Sequence, residues 1–401
     1  MAPRFFRFYF SILLIIIILF PLTRDASAAL VGVSAADSAF DWREYGYDFL
    51  VKDQGVCNAG YAFAAVDAVQ AAIWKKEGIK ESFSVNNAKE CNWNAENHHE
   101  APPFYSCKGG DFKMLVNLFS QKGLVDENCD PYQPFDCDCN GNYAIKVYVT
   151  EWLAFSQGDK IADSSLIKEK LLAYGPLYTQ MDANLSGFDS YSGNTVLSGG
   201  SSDPNEWTHG VLIIGWDNDK GGGAWLVKNS YGLNWGDEGY FWIAYESAGI
   251  GSSLSAVKSW DRPSSYDERL YFLDEAGHTN NFAPNNNDWL SGSVMNLYTI
   301  QPGDIIRNIE FWTNDTALVR LKIYRSFDGN TTENLLYDSG EFQVESAGYH
   351  HVRVFKDLKL VGPAEIAVVM EIQNMRRNFP VIVDHLGGVS NNKSWYLDTD
   401  G

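Results

Sequence analysis

After residue 22 the sequence has no apolar run long enough to cross a bilayer, which takes about 20 residues. Basic residues are also scarce: 31 Lys and Arg stand against 51 Asp and Glu, for a formal net charge of −20. A chain with this excess of negative charge is a poor partner for nucleic acids and for anionic membrane surfaces. The composition therefore argues against nucleic-acid binding and against membrane insertion beyond the N-terminal segment.

The first 28 residues have the pattern of a secretory signal peptide. Arg4 and Arg7 begin a basic stretch, residues 8–22 are apolar, and Ala26-Ser27-Ala28 is typical of a cleavage site. An uncleaved membrane anchor is the alternative, although the apolar stretch is short for a spanning helix. We therefore expect a secreted or extracellular protein, in which residues 29–37 form a tether before the folded region.

Cysteine is absent after residue 139, so disulfide bonds can stabilise only one region of the chain. The six cysteines are Cys57, Cys91, Cys107, Cys129, Cys137 and Cys139. An even number in a secreted chain favours disulfides. A zinc site is disfavoured because Cys137-Asp-Cys139 lacks a convincing second pair of ligands nearby. No metal and no other cofactor is predicted.

The segment Gln54-Gly-Val-Cys-Asn-Ala-Gly-Tyr-Ala-Phe63 resembles the active-site segment of the papain family of cysteine peptidases, Q-G-x-C-G-x-C-W-A-F. Gly60 occupies the position of the family's nucleophilic cysteine. The resemblance implies a helix that begins here, whose positive dipole end would favour a thiolate, and Gln54 as part of an oxyanion hole. The Ala-rich, amphipathic sequence that follows Gly60 predicts this helix, and Gly78 predicts its end.

Two further motifs follow in the family's order. His209 precedes the apolar residues 211–214, and residues 224–240 resemble the family's W-x-x-K-N-S-W-G-x-x-W-G-x-x-G-Y at almost every fixed position. The resemblance implies that His209 occupies the position of the general base. It also implies that Asn229 orients the imidazole through a hydrogen bond and fixes its tautomer.

The resemblance further implies a cleft for an extended peptide or protein ligand. Cys107-Lys-Gly-Gly110 is similar to the family's C-x-G-G, in which the glycines let a peptide backbone approach and pair in extended form. Tyr61 and Tyr231 stand where the family has tryptophan, which keeps an aromatic ring and adds a hydroxyl. The implied ligand-binding residues are Gly109, Gly110, Tyr61, Tyr231 and Trp235.

Disulfide pairing is taken from the same resemblance. It implies that Cys57 pairs with Cys107 and that Cys91 pairs with Cys129. Cys137 and Cys139 are then left over, either as a small ring or as two free thiols. Cys57 is disfavoured as an alternative nucleophile because it lies three residues before Gly60, on the loop that precedes the helix.

The predicted fold class is α+β, with a papain-like two-lobed domain at 38–260. The helical lobe covers about 38–140, and the β-barrel-like lobe covers about 141–260. Ser84 and Asp163 are predicted to cap two further helices. Residues 261–267 read as a linker.

Residues 268–401 show short alternating or apolar runs separated by Gly, Asn and Asp turns, which predicts an all-β sandwich. This region is similar to the lectin-like domain of some prokaryotic papain-family proteins. Ala347-Gly-Tyr-His-His-Val352 and Ser394-Trp-Tyr396 carry most of that similarity. It implies a carbohydrate ligand for the C-terminal domain.

Three functional hypotheses follow. The first is a secreted papain-family protein that is catalytically inactive, because Gly60 replaces the nucleophile, and that acts by binding a peptide or a glycan. The second is a working cysteine endopeptidase, either because it uses an unusual nucleophile or because this sequence carries a substitution that is not typical of its relatives. The third is a surface adhesin that uses the lectin-like domain. Loss of one member of a catalytic triad costs orders of magnitude in rate, which favours the first hypothesis.

Overall fold

The computed structural model describes residues 30–92, 106–139, 141–156, 160–193, 195–201, 203–263, 271, 280–283, 288–360, 364–383 and 394–396. The predicted signal peptide (1–28) and part of the predicted linker (264–267) lie outside the described residues. Within the described ranges, no helix is both long enough and apolar enough to cross a membrane.

The described residues contain four α-helices: α1 (Gly60–Glu77), α2 (Val85–Glu90), α3 (Phe112–Gln121) and α4 (Ser164–Tyr174). The side chains of Ser84, Asp111 and Asp163 accept hydrogen bonds from N–H groups of the first turn of α2, α3 and α4. These donors have no partner within a helix, so the caps stabilise the helix starts. Gly78 ends α1 with a φ of 70°. The predicted caps and the predicted end of α1 are confirmed.

Helix α1 is the central element of the first domain. Of its 18 residues, 14 are buried, so protein surrounds it on nearly every side. Its first turn lies directly against a strand that begins at His209. A Cβ placed at Gly210 in that strand would lie 2.6 Å from Cα of Tyr61. The absence of a side chain at Gly210 therefore lets the start of the helix approach the strand closely.

Strands make up most of the remaining chain. In order they are β1 (Ala39–Asp41), β2 (Leu124–Val125), β3 (Ile145–Ala154), β4 (Leu177–Met181), β5 (Val196–Leu197), β6 (His209–Asp217), β7 (Ala224–Lys228), β8 (Tyr240–Ala244), β9 (Ser252–Asp261), β10 (Asn280–Phe282), β11 (Ser291–Ile300), β12 (Ile305–Thr313), β13 (Ala317–Phe327), β14 (Thr332–Val344), β15 (Ala347–Lys359), β16 (Ala364–Asn374), β17 (Val381–Val383) and β18 (Ser394–Tyr396). The largest sheet has the order β12-β15-β3-β9-β4-β6-β7-β8-β5, with β1 paired to β6 and β2 paired to β3.

The C-terminal region is all-β, as predicted. A five-stranded sheet of order β14-β13-β16-β11-β18 packs against β12 and β15, and β10 and β17 form a separate pair. Along β13, buried and partly buried residues alternate, as expected for a strand with one face in a core. Side chains from both layers form this second core, among them Ile309, Phe311, Val319, Leu321, Val354 and Ile366.

The two regions share one sheet, which the sequence analysis did not predict. In β15, Ala347, Gly348 and Tyr349 pair antiparallel with the end of β3. Gly348 has a φ of 145°, and a Cβ placed on it would lie 2.0 Å from the carbonyl oxygen of Trp152. Glycine is therefore required for the two strands to come together. Tyr349 and Trp312 then pack into the core of the first domain.

The disulfide pairs agree with the prediction at one bond and correct it at the other. Cys57 is bonded to Cys107 as predicted, but Cys91 is bonded to Cys139 and not to Cys129. Cys129 and Cys137 are free thiols, so Cys137 and Cys139 form neither a ring nor a pair of free thiols.

The physical reason is the path of residues 133–137, which run alongside α2. Backbone N–H groups of Gln133 and Cys137 donate to the side chains of Asn86 and Glu90 at 3.1 and 3.0 Å. These hydrogen bonds hold the segment along α2, so that Cys139, two residues further on, lies at the end of α2 next to Cys91. Six cysteines allow 15 pairings, and this approach is not visible in the sequence.

We expect peptide mapping of the non-reduced protein to find Cys91 linked to Cys139. Alkylation before reduction should label two cysteines. Cys129, which is exposed, should react faster than Cys137, because burial raises the pKa of the Cys137 thiol and lowers its thiolate fraction. A peptide that links Cys91 to Cys129 would contradict the arrangement described here.

Candidate active site

Gly60 is the first residue of α1 and lies at the positive end of the helix dipole. A Cβ placed on it would lie 2.6 Å from both Cε1 and Nδ1 of His209 and 3.2 Å from Oε1 of Gln54. Atoms of the His209 imidazole thus approach the space that a side chain at this position would need. The structure brings Gln54, Gly60 and His209 together at the start of one helix.

His209 begins β6, and its ring is oriented by Asn229, which follows β7. The His209 Nε2 and the Asn229 Oδ1 are 2.8 Å apart. Because the Asn229 Oδ1 also accepts a hydrogen bond from the N–H of Ser230, it is an acceptor, and Nε2 of His209 carries the proton. The neutral ring then presents Nδ1, an acceptor, toward Gly60. This is the tautomer that a general base next to a nucleophile would need.

Aromatic rings cover the His209 imidazole. The ring centroids of Phe188 and Tyr231 lie 5.9 and 5.2 Å from it, and Trp235 lies against both. This burial lowers the pKa of His209 below its usual 6.5, and the hydrogen bond with Asn229 only partly opposes the effect. His209 is therefore neutral at pH 7.

The depressed pKa of His209 predicts a specific pH dependence of stability. Below pH 6.5 the imidazole of His209 is protonated more readily in the unfolded chain than in the folded chain. The free energy of unfolding therefore falls as pH decreases. We expect the wild type to lose more stability between pH 7 and pH 5 than the His209→Gln variant, by about 1 kcal/mol per unit of pKa difference. Urea unfolding at both pH values measures the difference. Parallel pH profiles of the two proteins would contradict the assignment.

Gln54 is held in an orientation that differs from its implied role. Its Nε2 donates to the carbonyl oxygen of Cys57 at 2.8 Å, and its Oε1 accepts from the hydroxyl of Ser230 at 2.7 Å. A carbonyl only accepts, so the bond to Cys57 fixes which end of the amide carries the nitrogen. The Gln54 atom closest to the position of a Cβ on Gly60 is therefore the acceptor Oε1, not the donor that an oxyanion needs.

The two cleft glycines have different surroundings. Gly109 has a φ of 101°, and among the described residues no atom lies within 4 Å of the position of an added Cβ. At Gly110 an added Cβ would lie 2.6 Å from the ring of Tyr61, so this glycine is covered by that ring. The Tyr61 hydroxyl donates to the carbonyl of Ser106 at 3.2 Å, and burial raises its pKa. Of the pair, Gly109 is the position open to a ligand backbone.

Tyr231 and Trp235 form a wall of the site. Tyr231 is half-buried, which raises its pKa to about 12, so the hydroxyl remains protonated. The indole N–H of Trp235 donates to the backbone carbonyl of Phe188 at 3.1 Å, and this hydrogen bond holds the Trp235 ring in place. The sequence analysis assigned no role to Phe188 or Ser230. The position of Ser230 directly after Asn229 in the motif could have indicated that Ser230 lies in the site.

Cys57, the cysteine three residues before Gly60, offers no free thiol beside this position. The sulfur of Cys57 is bonded to Cys107, so Cys57 carries no thiolate. An added side chain at Gly60 would meet atoms of His209 and Gln54 first, and neither is a nucleophilic thiol. Among the described residues, no group of three or more His, Cys, Asp or Glu side chains is arranged to hold a metal ion.

A family model described as "Papain family cysteine protease" matches residues 36–258. The chain belongs to the papain family of cysteine proteases. This papain-family chain is 32% identical to cathepsin L of Sarcophaga peregrina over 207 residues, which cover 51% of this chain and 58% of that protein. It is 33% identical to cathepsin S of Mus musculus over 209 residues, 51% of this chain and 57% of that protein. The papain-family chain therefore spans less than two thirds of the length of these relatives.

Two solved structures share the fold over both regions of the papain-family chain. The cysteine protease and lectin-like domains of Cwp84, a surface layer associated protein of Clostridium difficile, match with a TM-score of 0.72 and 17% identity over 92% of this chain and 84% of that one. Clostridial Cwp84 after propeptide cleavage matches with a TM-score of 0.74 and 18% identity over 92% and 94%. At this identity the likeness shows the fold: a papain-like domain followed by an additional all-β region.

Proposed function

We propose that this papain-family protein binds peptides in its cleft without hydrolysing them. The observation that carries the proposal is Gly60 at the start of α1. Hydrolysis by this family requires a thiolate that attacks the peptide carbonyl and forms an acyl-enzyme. Glycine has no atom that could form this bond, and the nearby imidazole has no thiol to deprotonate.

The remaining contacts support binding rather than catalysis. Gln54 directs an acceptor oxygen toward the helix start, and not the donor that an oxyanion needs. The Cys57–Cys107 disulfide and the hydrogen bond from the N–H of Asn58 to the carbonyl of Cys107 hold the loop before α1 against the segment that carries Gly109. A ligand backbone can then pair beside Gly109 in extended form.

A secreted or surface location and a glycan ligand complete the proposal. The signal-like pattern of residues 1–28 and the two disulfides suit an oxidising compartment. Exposed aromatic side chains on the C-terminal region, among them Trp289 and Phe379, support glycan binding by that domain as a second function. The peptidase alternative receives no such support, since Cys57 is disulfide-bonded.

Peptide binding is tested by incubating the intact protein with an extended-peptide library and identifying retained peptides by mass spectrometry. We expect retained peptides to be full-length. We also expect Gly109→Phe, which fills the open space at the cleft, to weaken binding of a retained peptide about tenfold or more, since an anchor contact is worth more than about 1.4 kcal/mol.

Gly303→Phe is the matched control, because Gly303 also has a positive φ and no atom of the described part of the chain within 4 Å of an added Cβ, but belongs to the C-terminal region. Release of cleaved peptides by the wild type would refute the proposal. Equal loss of binding in both variants would show that the peptide is not bound beside Gly109.

A further inference from the structure

Two partly exposed aromatic side chains of the C-terminal domain lie next to each other. Trp289 is 50% exposed and Phe379 is 42% exposed. Their ring centroids are 5.4 Å apart and the ring planes are inclined by 31°. The two rings, here called the aromatic platform, come from the segment before β11 and from the segment between β16 and β17. Adjoining exposed rings, especially with polar residues around them, are one feature of binding surfaces.

The backbone of Phe379 is strained, and its surroundings hold it in that state. Its φ is 61°, in the left-handed region that bulky side chains avoid. Its N–H donates to the carbonyl of Trp289 at 2.8 Å, and its carbonyl accepts from the Asn314 side chain at 2.8 Å. Both backbone groups are thus fixed. Such strain persists where surrounding contacts enforce it, and it clusters at ligand sites.

Buried amides hold the rest of the loop. Asn374, which is 2% exposed, donates to the Asn314 side chain at 2.7 Å and to the carbonyl of Arg377 at 2.9 Å. The buried carboxylate of Asp315 accepts from the N–H groups of Arg376 and Arg377 at 2.7 and 2.8 Å. The loop is therefore rigid before any ligand arrives, so a ligand would not have to order it.

We propose that the aromatic platform is a glycan-binding site that stacks one sugar ring. The C–H face of a pyranose carries a slight positive charge and packs against the negative faces of aromatic rings. Arg376, with 76% of its side chain exposed, and the exposed Asn378 lie in the same loop and offer donors to sugar hydroxyls. The site rests on the proposed glycan-binding role of the C-terminal domain.

The surroundings favour a sugar over a lipid surface or a protein partner. The platform consists of two rings beside polar and charged residues, which suits a ligand with one apolar face and a hydroxylated edge. A protein partner of standard affinity would need an interface of about 800 Å² on each side. An anionic membrane would be repelled by a chain whose net charge is −20.

The test applies the intact protein to an array of neutral and acidic oligosaccharides and titrates the best binder by calorimetry. We expect Phe379→Gly to weaken binding about tenfold or more. The same substitution should leave the melting temperature unchanged or raise it, since glycine adopts a φ of 61° without strain. Trp289→Ala should weaken binding to a similar extent. Phe355→Ala removes a ring that is 88% exposed elsewhere in the domain and is the control.

The outcomes of these experiments distinguish a failure of the aromatic platform from a failure of the proposed glycan-binding role of the C-terminal domain. Glycan binding that Phe379→Gly and Trp289→Ala leave unchanged would overturn the platform and keep the glycan-binding role. Absence of binding to every oligosaccharide would overturn both. Binding to phosphatidylcholine–phosphatidylglycerol vesicles instead of the array would also overturn the site, with a lipid surface as its ligand.

Discussion

Gly60→Cys is expected to become covalently labelled by a thiol-reactive peptide epoxide at a rate at least about 10³-fold above that of the wild type, since a missing nucleophile costs a catalytic triad several orders of magnitude. The thiol would stand at the start of α1, where the helix dipole favours its ionised form. Nδ1 of His209 already faces this position, and Asn229 holds the ring. The added Cβ would lie 2.6 Å from the ring, so the imidazole must withdraw slightly. Intact-mass spectrometry and hydrolysis of a fluorogenic peptide measure the gain.

Gly60→Ser is the matched control, because it imposes a side chain of similar size without a thiolate. It should remain unlabelled. Adding His209→Ala to Gly60→Cys should remove most of the gained reactivity, since the base is lost. A folded Gly60→Cys protein that stays unlabelled would show that the cleft has changed beyond the one missing sulfur. Hydrolysis of the fluorogenic peptide by the wild type would refute the inactive assignment, whereas slow labelling of the exposed free thiol Cys129 would not.

Gly348→Ala is expected to lower the free energy of unfolding by at least about 3 kcal/mol, the upper part of the range for overpacking at a site that cannot relax. The added methyl group would lie 2.0 Å from the carbonyl oxygen of Trp152 and 3.0 Å from the Cα of Leu153. All of these are backbone atoms, so no side chain can move aside. The strands β15 and β3 must therefore move apart at this position. Urea unfolding followed by tryptophan fluorescence measures the loss.

Gly340→Ala is the control for this change. Gly340 also has a positive φ, of 67°, but no atom lies within 4 Å of an added Cβ. This variant bears only the cost of the left-handed backbone, about 1 kcal/mol. Equal destabilisation of the two variants would show that the close approach to β3 contributes nothing to stability.

Local features of the fold were readable from the sequence. The caps at Ser84 and Asp163 and the end of α1 at Gly78 depend on neighbouring residues only, so residue type and spacing predict them. The start of α1 at Gly60 was also predicted, because the Ala-rich, amphipathic sequence that follows this residue is typical of a helix. The alternation of β13 likewise predicted a strand with one buried face.

Features set by distant contacts were not readable. The bond from Cys91 to Cys139 depends on residues 133–137 lying along α2, which no local pattern encodes. The orientation of Gln54 depends on the Ser230 hydroxyl, far away in the chain. The shared sheet depends on a close approach at Gly348, and no local pattern in residues 347–352 identifies β3 as the strand with which they pair.

The sheet that passes through both domains has a consequence for how the chain can be divided. Ending the chain after residue 260 would leave the last residues of β3 with bare N–H and C=O groups where Ala347–Tyr349 now pair. It would also remove Trp312 and Tyr349 from the core of the first domain and expose the apolar residues around them. An unpaired edge of this kind recruits strands from other molecules. We therefore expect the papain-like half, when produced alone, to self-associate through this edge.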